Sequence, residues 1–256
     1  MRKIKVWIIS VSLLLSLLLT GCGGSAKNYL HTDAGLKNEA EKALEEKYGE
    51  EFVIHEVWTK NQTIFYATCS PEDNDEIDFR AEIYKDGRGV HVDSYIQGIV
   101  ANQINNNLSE DFQTIFDNCY TRAEIYNYYD TPTYENPEDV TIEDYLSQID
   151  IEFIGYDVYI CETKPTEESI QREYDIFNND IQEKIKEGII PNVVIDLYFV
   201  DEKMLIMSKE YYKNYEISGS DFEDALEMYP TMYIVYPNNK INLTYEEYKE
   251  QRMEIK

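Results

Sequence analysis

The stretch Ile77-Asp78-Phe79-Arg80-Ala81-Glu82-Ile83-Tyr84 constrains the fold more tightly than any other. Its apolar residues, Ile77, Phe79, Ala81 and Ile83, alternate strictly with Asp78, Arg80, Glu82 and Tyr84. Successive side chains of a β-strand point to opposite faces, so this pattern specifies a strand with one face in a core and the other in water. A slip of one residue would turn every apolar group outward. Asp86-Gly87 then supplies a dipeptide suited to a tight hairpin turn, and Val90 to Tyr95 returns. Upstream, Phe52, Ile54 and Trp58 repeat the period of two, and Thr63 to Cys69 is apolar and rich in strand formers. These segments predict a four-stranded meander.

Asp33 to Tyr48 precedes the meander, with Leu36, Ala40, Ala43 and Leu44 on one helical face. After it, Ile96 to Leu108 and Glu110 to Cys119 read as two helices, the second capped by Ser109, and Arg122 to Tyr129 as a strand. Residues 130–139, DTPTYENPED, carry two prolines and no apolar period, and are expected to be a linker. Beyond it come a short helix capped by Thr141, a strand from Ile151 to Cys161 and a long helix opened by Thr166. Val193 to Val200 reads as a buried strand, and Met204 to Ser208 as its returning partner. Ser220 with Glu223, and Thr244 with Glu247, mark two further helix starts around a strand at Met232 to Tyr236. The expected class is α+β with a mainly antiparallel sheet and packed helices. Two subdomains are expected, at residues 31–129 and 140–256.

The amino terminus has a different logic. Arg2, Lys3 and Lys5 precede an apolar run from Val6 to Leu19, and Leu19-Thr20-Gly21-Cys22 follows. Positive charge, a short apolar core and small residues before a cut are the parts of a secretory signal, here expected over residues 1–21. The quartet Leu19-Thr20-Gly21-Cys22 resembles the lipobox of bacterial lipoproteins. That resemblance implies cleavage before Cys22, diacylglycerol on its sulfur and an acyl chain, such as palmitate, on the new amino terminus. Two or three such chains anchor stably, since each buried CH₂ contributes about 0.8 kcal/mol. Residues 22–30 then form a lipidated tether, whose last eight residues span at most about 28 Å. The mature part is similar in composition to uncharacterised lipoproteins of low-GC monoderm bacteria, which implies the outer face of the cytoplasmic membrane.

The formal charge is −27, and removal of Arg2, Lys3 and Lys5 with the signal takes it to −30. Such a field repels nucleic acid and anionic lipid, and attracts basic peptides, basic proteins or divalent cations. The charge is uneven: from residue 89 to residue 163 the only Lys or Arg is Arg122, among fifteen carboxylates. The 23 tyrosines and nine phenylalanines argue against disorder. Besides Cys22, the chain has Cys69, Cys119 and Cys161, an odd number that leaves at least one thiol unpaired within a monomer.

No HExxH, P-loop, GxSxG or helix-opening GxGxxG occurs. Two local features carry candidate chemistry. Asp73, Asp75 and Asp78 are dense oxygen ligands of the kind that suit Ca²⁺, although the glycine and terminal glutamate of an EF-hand loop are missing. Tyr126, Tyr128, Tyr129, Tyr134 and Glu135 lie in the acidic block; aromatic faces that stack and acids that accept hydrogen bonds suit sugar or peptide binding. The reading is a membrane-anchored, extracytoplasmic lipoprotein acting as a non-catalytic binding or accessory module, with a protein or cell-wall partner and no cofactor. Two rivals stand beside it: a transporter-associated solute-binding lipoprotein, and a cell-wall-acting enzyme with paired carboxylates.

Overall fold

The alternating stretch supplies strand Phe79–Tyr84 in a computed structural model, which describes residues 32–127, 132, 134, 136–149, 151–162, 165–186, 193–214, 219–237 and 240–255. Phe79, Ala81 and Ile83 are buried there, and Arg80 is exposed. Helix α1 (Asp33–Tyr48), whose N-cap Thr32 hydroxyl accepts from the Gly35 amide at 3.2 Å, precedes four strands. These are β1 (Phe52–Thr59), β2 (Ile64–Pro71), β3 (Phe79–Tyr84) and β4 (Val90–Asp93), joined in the order β1-β2-β3-β4 as an antiparallel meander. Gly87 turns the β3–β4 hairpin with φ 79°, a left-handed value that costs other residues strain.

A single helix, α2 (Tyr95–Ile115), replaces the two helices expected on either side of Ser109. Ile104, Leu108 and Phe112 continue one fully buried face through that position. The Ser109 hydroxyl donates back to the Asn106 carbonyl at 3.4 Å and caps nothing. Each buried apolar side chain stabilises by about 1.5–3 kcal/mol, which outweighs a local capping preference.

The second sheet has the order β5-β6-β7-β8, formed by β5 (Cys119–Asn127), β6 (Ile151–Ile160), β7 (Val193–Phe199) and β8 (Thr231–Val235). Between β5 and β6 comes α3 (Ile142–Gln148), with Thr141 accepting from the Asp144 amide at 3.2 Å. β6 and β7 run parallel, and their crossover is helical, as such a pair requires: α4 (Glu167–Ile176), a π turn (Phe177–Ile181) and α5 (Gln182–Lys186). The outer pairs β5–β6 and β7–β8 are antiparallel. Helices α6 (Glu202–Asn214) and α7 (Gly219–Leu226) precede β8, and α8 (Tyr245–Glu254) follows it. The architecture is α+β. Met204 to Ser208, expected as a strand, lies in α6: Met204, Leu205 and Ser208 are buried at helical spacing, and a short apolar run does not distinguish the two periods.

The chain divides into two compact units, one formed by the residues through Cys69 with Ala81–Val92, the other by Ser70–Arg80 with Asp93–Lys256. The linker expected at 130–139 falls inside the second unit, where β5 and β6 on either side of it are neighbours in register from Cys119 opposite Ile160 to Tyr126 opposite Phe153. Pro137, within that stretch, is buried.

The core of the second unit lies between the sheet's inner face and the helices, where Ile154, Tyr156, Ile195 and Ile234 meet Phe112 and Phe177. At the π turn the Tyr236 hydroxyl donates to the Phe177 carbonyl at 2.9 Å. Helix α8 is clasped to α4 by buried charge. Arg252 Nε donates to Glu173 at 2.9 Å, the Tyr248 hydroxyl donates to the same carboxylate at 2.7 Å, and Arg252 also pairs with Glu162. Arg252 and Glu173 are 1% and 0% exposed. Among the described residues no helix is long and apolar enough to cross a membrane. Among the described residues no disulfide joins Cys69, Cys119 and Cys161 to one another.

Candidate functional site

Strand parity builds a second, different face on the β5–β8 sheet. Ala123, Ile125, Ile154 and Ile195 point inward, so their strand neighbours point out. Register then aligns the outward residues in rows. Tyr120, Tyr159, Tyr198 and Thr231 form one row, and Arg122, Asp157, Asp196 and Tyr233 form the next.

The first row is covered in part. Helices α6 and α7 lay Met204, Leu205 and Phe222 against Tyr159, which is 1% exposed. Tyr159 stacks on Tyr198 with centroids 5.0 Å apart. The second row ends open, since Tyr233 is 58% exposed. One step further, Tyr126 lies flat over the sheet. Its ring stacks on Phe153 at 4.6 Å, and its hydroxyl donates to Glu124 at 2.8 Å. Gly155 makes room for it: a Cβ there would stand 2.8 Å from the ring.

The charges of this face are unevenly paired. Arg122 donates to Asp78 at 2.7 Å and lies 3.3 Å from Glu124. Asp157 and Asp196 are partners across the parallel strands, and among the described residues no salt bridge reaches either. Asp196 Oδ1 is closed off from solvent and accepts no hydrogen bond from the described residues. Burial, with Glu124 and Asp196 adding repulsion against the pull of Arg122, lifts the Asp157 carboxyl to about 7. Burial also raises the Asp196 carboxyl. The Tyr198 hydroxyl is raised by burial and then by these two carboxylates, and that of Tyr126 by burial and then by Glu124. Two adjacent carboxylates ringed by tyrosines can hold a proton or accept donors from a cation.

The residues expected from sequence do not assemble into one site. Tyr126 belongs to this outer face. Tyr134 packs instead against the inner core, where its hydroxyl accepts from Gln148 at 2.9 Å. Tyr128, Tyr129 and Glu135 lie outside the described residues, as does Cys22. Of the acidic loop, Asp78 is committed to Arg122, whereas Asp73 and Asp75 are exposed. The loop is shaped by its own hydrogen bonds, with Asn74 Oδ1 accepting from the Glu76 amide at 3.1 Å. Among the described residues no group of three His, Cys, Asp or Glu is placed to hold a metal. A separate open groove of about 880 Å³ runs along α4 and the π turn, with Glu168, Arg172, Asp175 and Tyr245 among its walls.

Sequence reasoning passed over Asp157, Asp196, Tyr198 and Tyr233. A signal was present: Asp196 interrupts the otherwise apolar run Val193-Val194-Ile195-Asp196-Leu197. Its partner was out of reach, because register across a helical crossover is not written in either strand.

No family model matches the chain, and no curated protein matches it. In fold it is similar to a DUF5037 family protein from Ruminococcus gnavus ATCC 29149, known from a crystal structure at 2.55 Å resolution. The TM-score is 0.60 at 18% identity, over 85% of this chain and 98% of that one. That likeness speaks for the α+β fold.

Proposed function

We propose that this chain is a lipid-anchored, extracytoplasmic binding module, held at the outer face of the cytoplasmic membrane through Cys22. Its ligand surface is the open part of the outer face of the second sheet. The anchor rests on the lipobox Leu19-Thr20-Gly21-Cys22. The binding role rests on one observation: two adjacent carboxylates without ion pairs among the described residues, beside the exposed ring of Tyr233. A face that only served stability would bury apolar side chains there or pair its charges.

The anchor is tested by labelling cells with an alkyne palmitate analogue. Label should enter the wild type and be lost in Cys22→Ala; label on neither would sink the anchor. The binding role is tested by thermal shift of the full chain in detergent against sugars, peptides, cations and wall fragments. A saturable rise that Tyr233→Ala abolishes supports it, and no rise with any compound counts against it.

The enzyme rival draws on the same pair, since a carboxyl raised to about 7 is suited to proton transfer at neutral pH. Turnover of wall fragments that Asp157→Asn abolishes would favour that reading.

A further inference from the structure

We infer that Asp157 and Asp196, walled by Tyr126, Tyr198 and Tyr233, bind an organic cation, an alkylammonium or guanidinium group. This rests on the binding-module reading and names its ligand class. Four features carry it. The two carboxylates occupy one cross-strand position on one face. The cation nearest in register, Arg122, stands opposite Asp157 but gives its close contacts to Asp78 and Glu124. Asp196 keeps unused acceptor capacity, since its Oδ1 accepts no hydrogen bond from the described residues. Tyr233, the partner of Asp196 on β8, offers an exposed ring at the mouth, and Tyr126 is 44% exposed.

Carboxylates with aromatic walls are the pairing that organic cations select, through charge-assisted hydrogen bonds and cation–π attraction. A hard divalent ion asks for six or more oxygens, and among the described residues no group of three His, Cys, Asp or Glu is placed to hold one. An alkylammonium needs three acceptors and a guanidinium takes two in a fork. The same group is carried by free polyamines and by basic peptides, so both are probed.

The test is calorimetric titration of the full chain in detergent micelles, at low salt, with cadaverine, spermidine, trilysine amide and triarginine amide. We expect saturable one-to-one binding of the polyamine class or of the peptide class. Asp157→Asn with Asp196→Asn should weaken it at least tenfold. Tyr233→Ala, at an exposed position that leaves the core intact, should weaken it about threefold to tenfold. Glu41→Gln with Glu45→Gln removes two exposed carboxylates from α1 and should leave affinity within twofold. Equal loss in that control would reveal diffuse attraction to an acidic surface and overturn the inference. So would saturation by none of the four probes, or saturation by Ca²⁺ alone. A sugar or wall fragment whose thermal shift depends on Tyr233 would keep the binding module and remove the cation.

Discussion

Asp157 and Asp196 stand opposite each other on parallel neighbouring strands, and burial, with repulsion from Glu124 and then from Asp196, raises the Asp157 carboxyl to about 7. The ordinary value is 3.8. The folded state therefore binds this proton more tightly than the unfolded chain. That stabilisation is complete below about pH 4 and is lost as pH rises through 7. Asp157→Asn keeps the shape and removes the charge. It should leave stability nearly unchanged at pH 3.5 and raise it at pH 8 by roughly 2–4 kcal/mol, or about 5–10 °C in Tm. Thermal melts at the two pH values in amine-free buffer check this, and an equal effect at both would contradict it.

Arg252 and Glu173 present the opposite case, a buried pair that satisfies itself. Removing one member strands the other. Arg252→Ala should cost about 3–5 kcal/mol in urea unfolding, whereas Glu173→Gln, which still accepts from Tyr248, should cost less.

Gly155 is required by space rather than by backbone angle. Gly155→Ala would push the Tyr126 ring from its stack on Phe153. The cost should be about 1–2 kcal/mol, with a weakened near-ultraviolet dichroism. Adding Tyr126→Ala to that variant should remove most of the clash, so a double-mutant cycle should show coupling. Additive effects would mean that the ring moves freely.

Burial pushes the Cys119 thiol up to about 11. At pH 8 roughly one molecule in a thousand carries the thiolate there, so maleimide should modify Cys119 slowly in the native protein. In denaturant Cys69, Cys119 and Cys161 should all react. Cys119 packs with the inner core and Cys161 with the cluster on the other face of the sheet, which keeps the two sulfurs apart. Protection of two thiols in denaturant would mean that a disulfide has formed.

What the sequence made legible was local. The meander followed from the strict alternation at Phe79, Ala81 and Ile83, and the helix starts from Thr141, Thr166 and Thr244, each of which accepts a backbone amide. Long-range facts were not legible. Ser109 looked like a cap because the tertiary burial of Leu108 and Phe112 is invisible locally. Residues 130–139 looked like a boundary because nothing in them records that β5 and β6 pair. The outer-face row failed for the same reason. Arg122, Asp157, Asp196 and Tyr233 each sit on a different strand, and of this face the sequence singles out only Arg122, the one base of the acidic block, and Tyr126 in its tyrosine-rich segment.

The clasp between α8 and α4 also bears on the order in which the chain can fold. Glu173 and Arg252 are separated by 79 residues. A chain emerging from its amino terminus presents α4 long before its counter-charge exists. Burying that carboxylate without its guanidinium is strongly unfavourable, so the final seating of α4 is stabilised only once residues 245–254 are in place. The clasp thus ties the last packing step of α4 to a segment made 79 residues later.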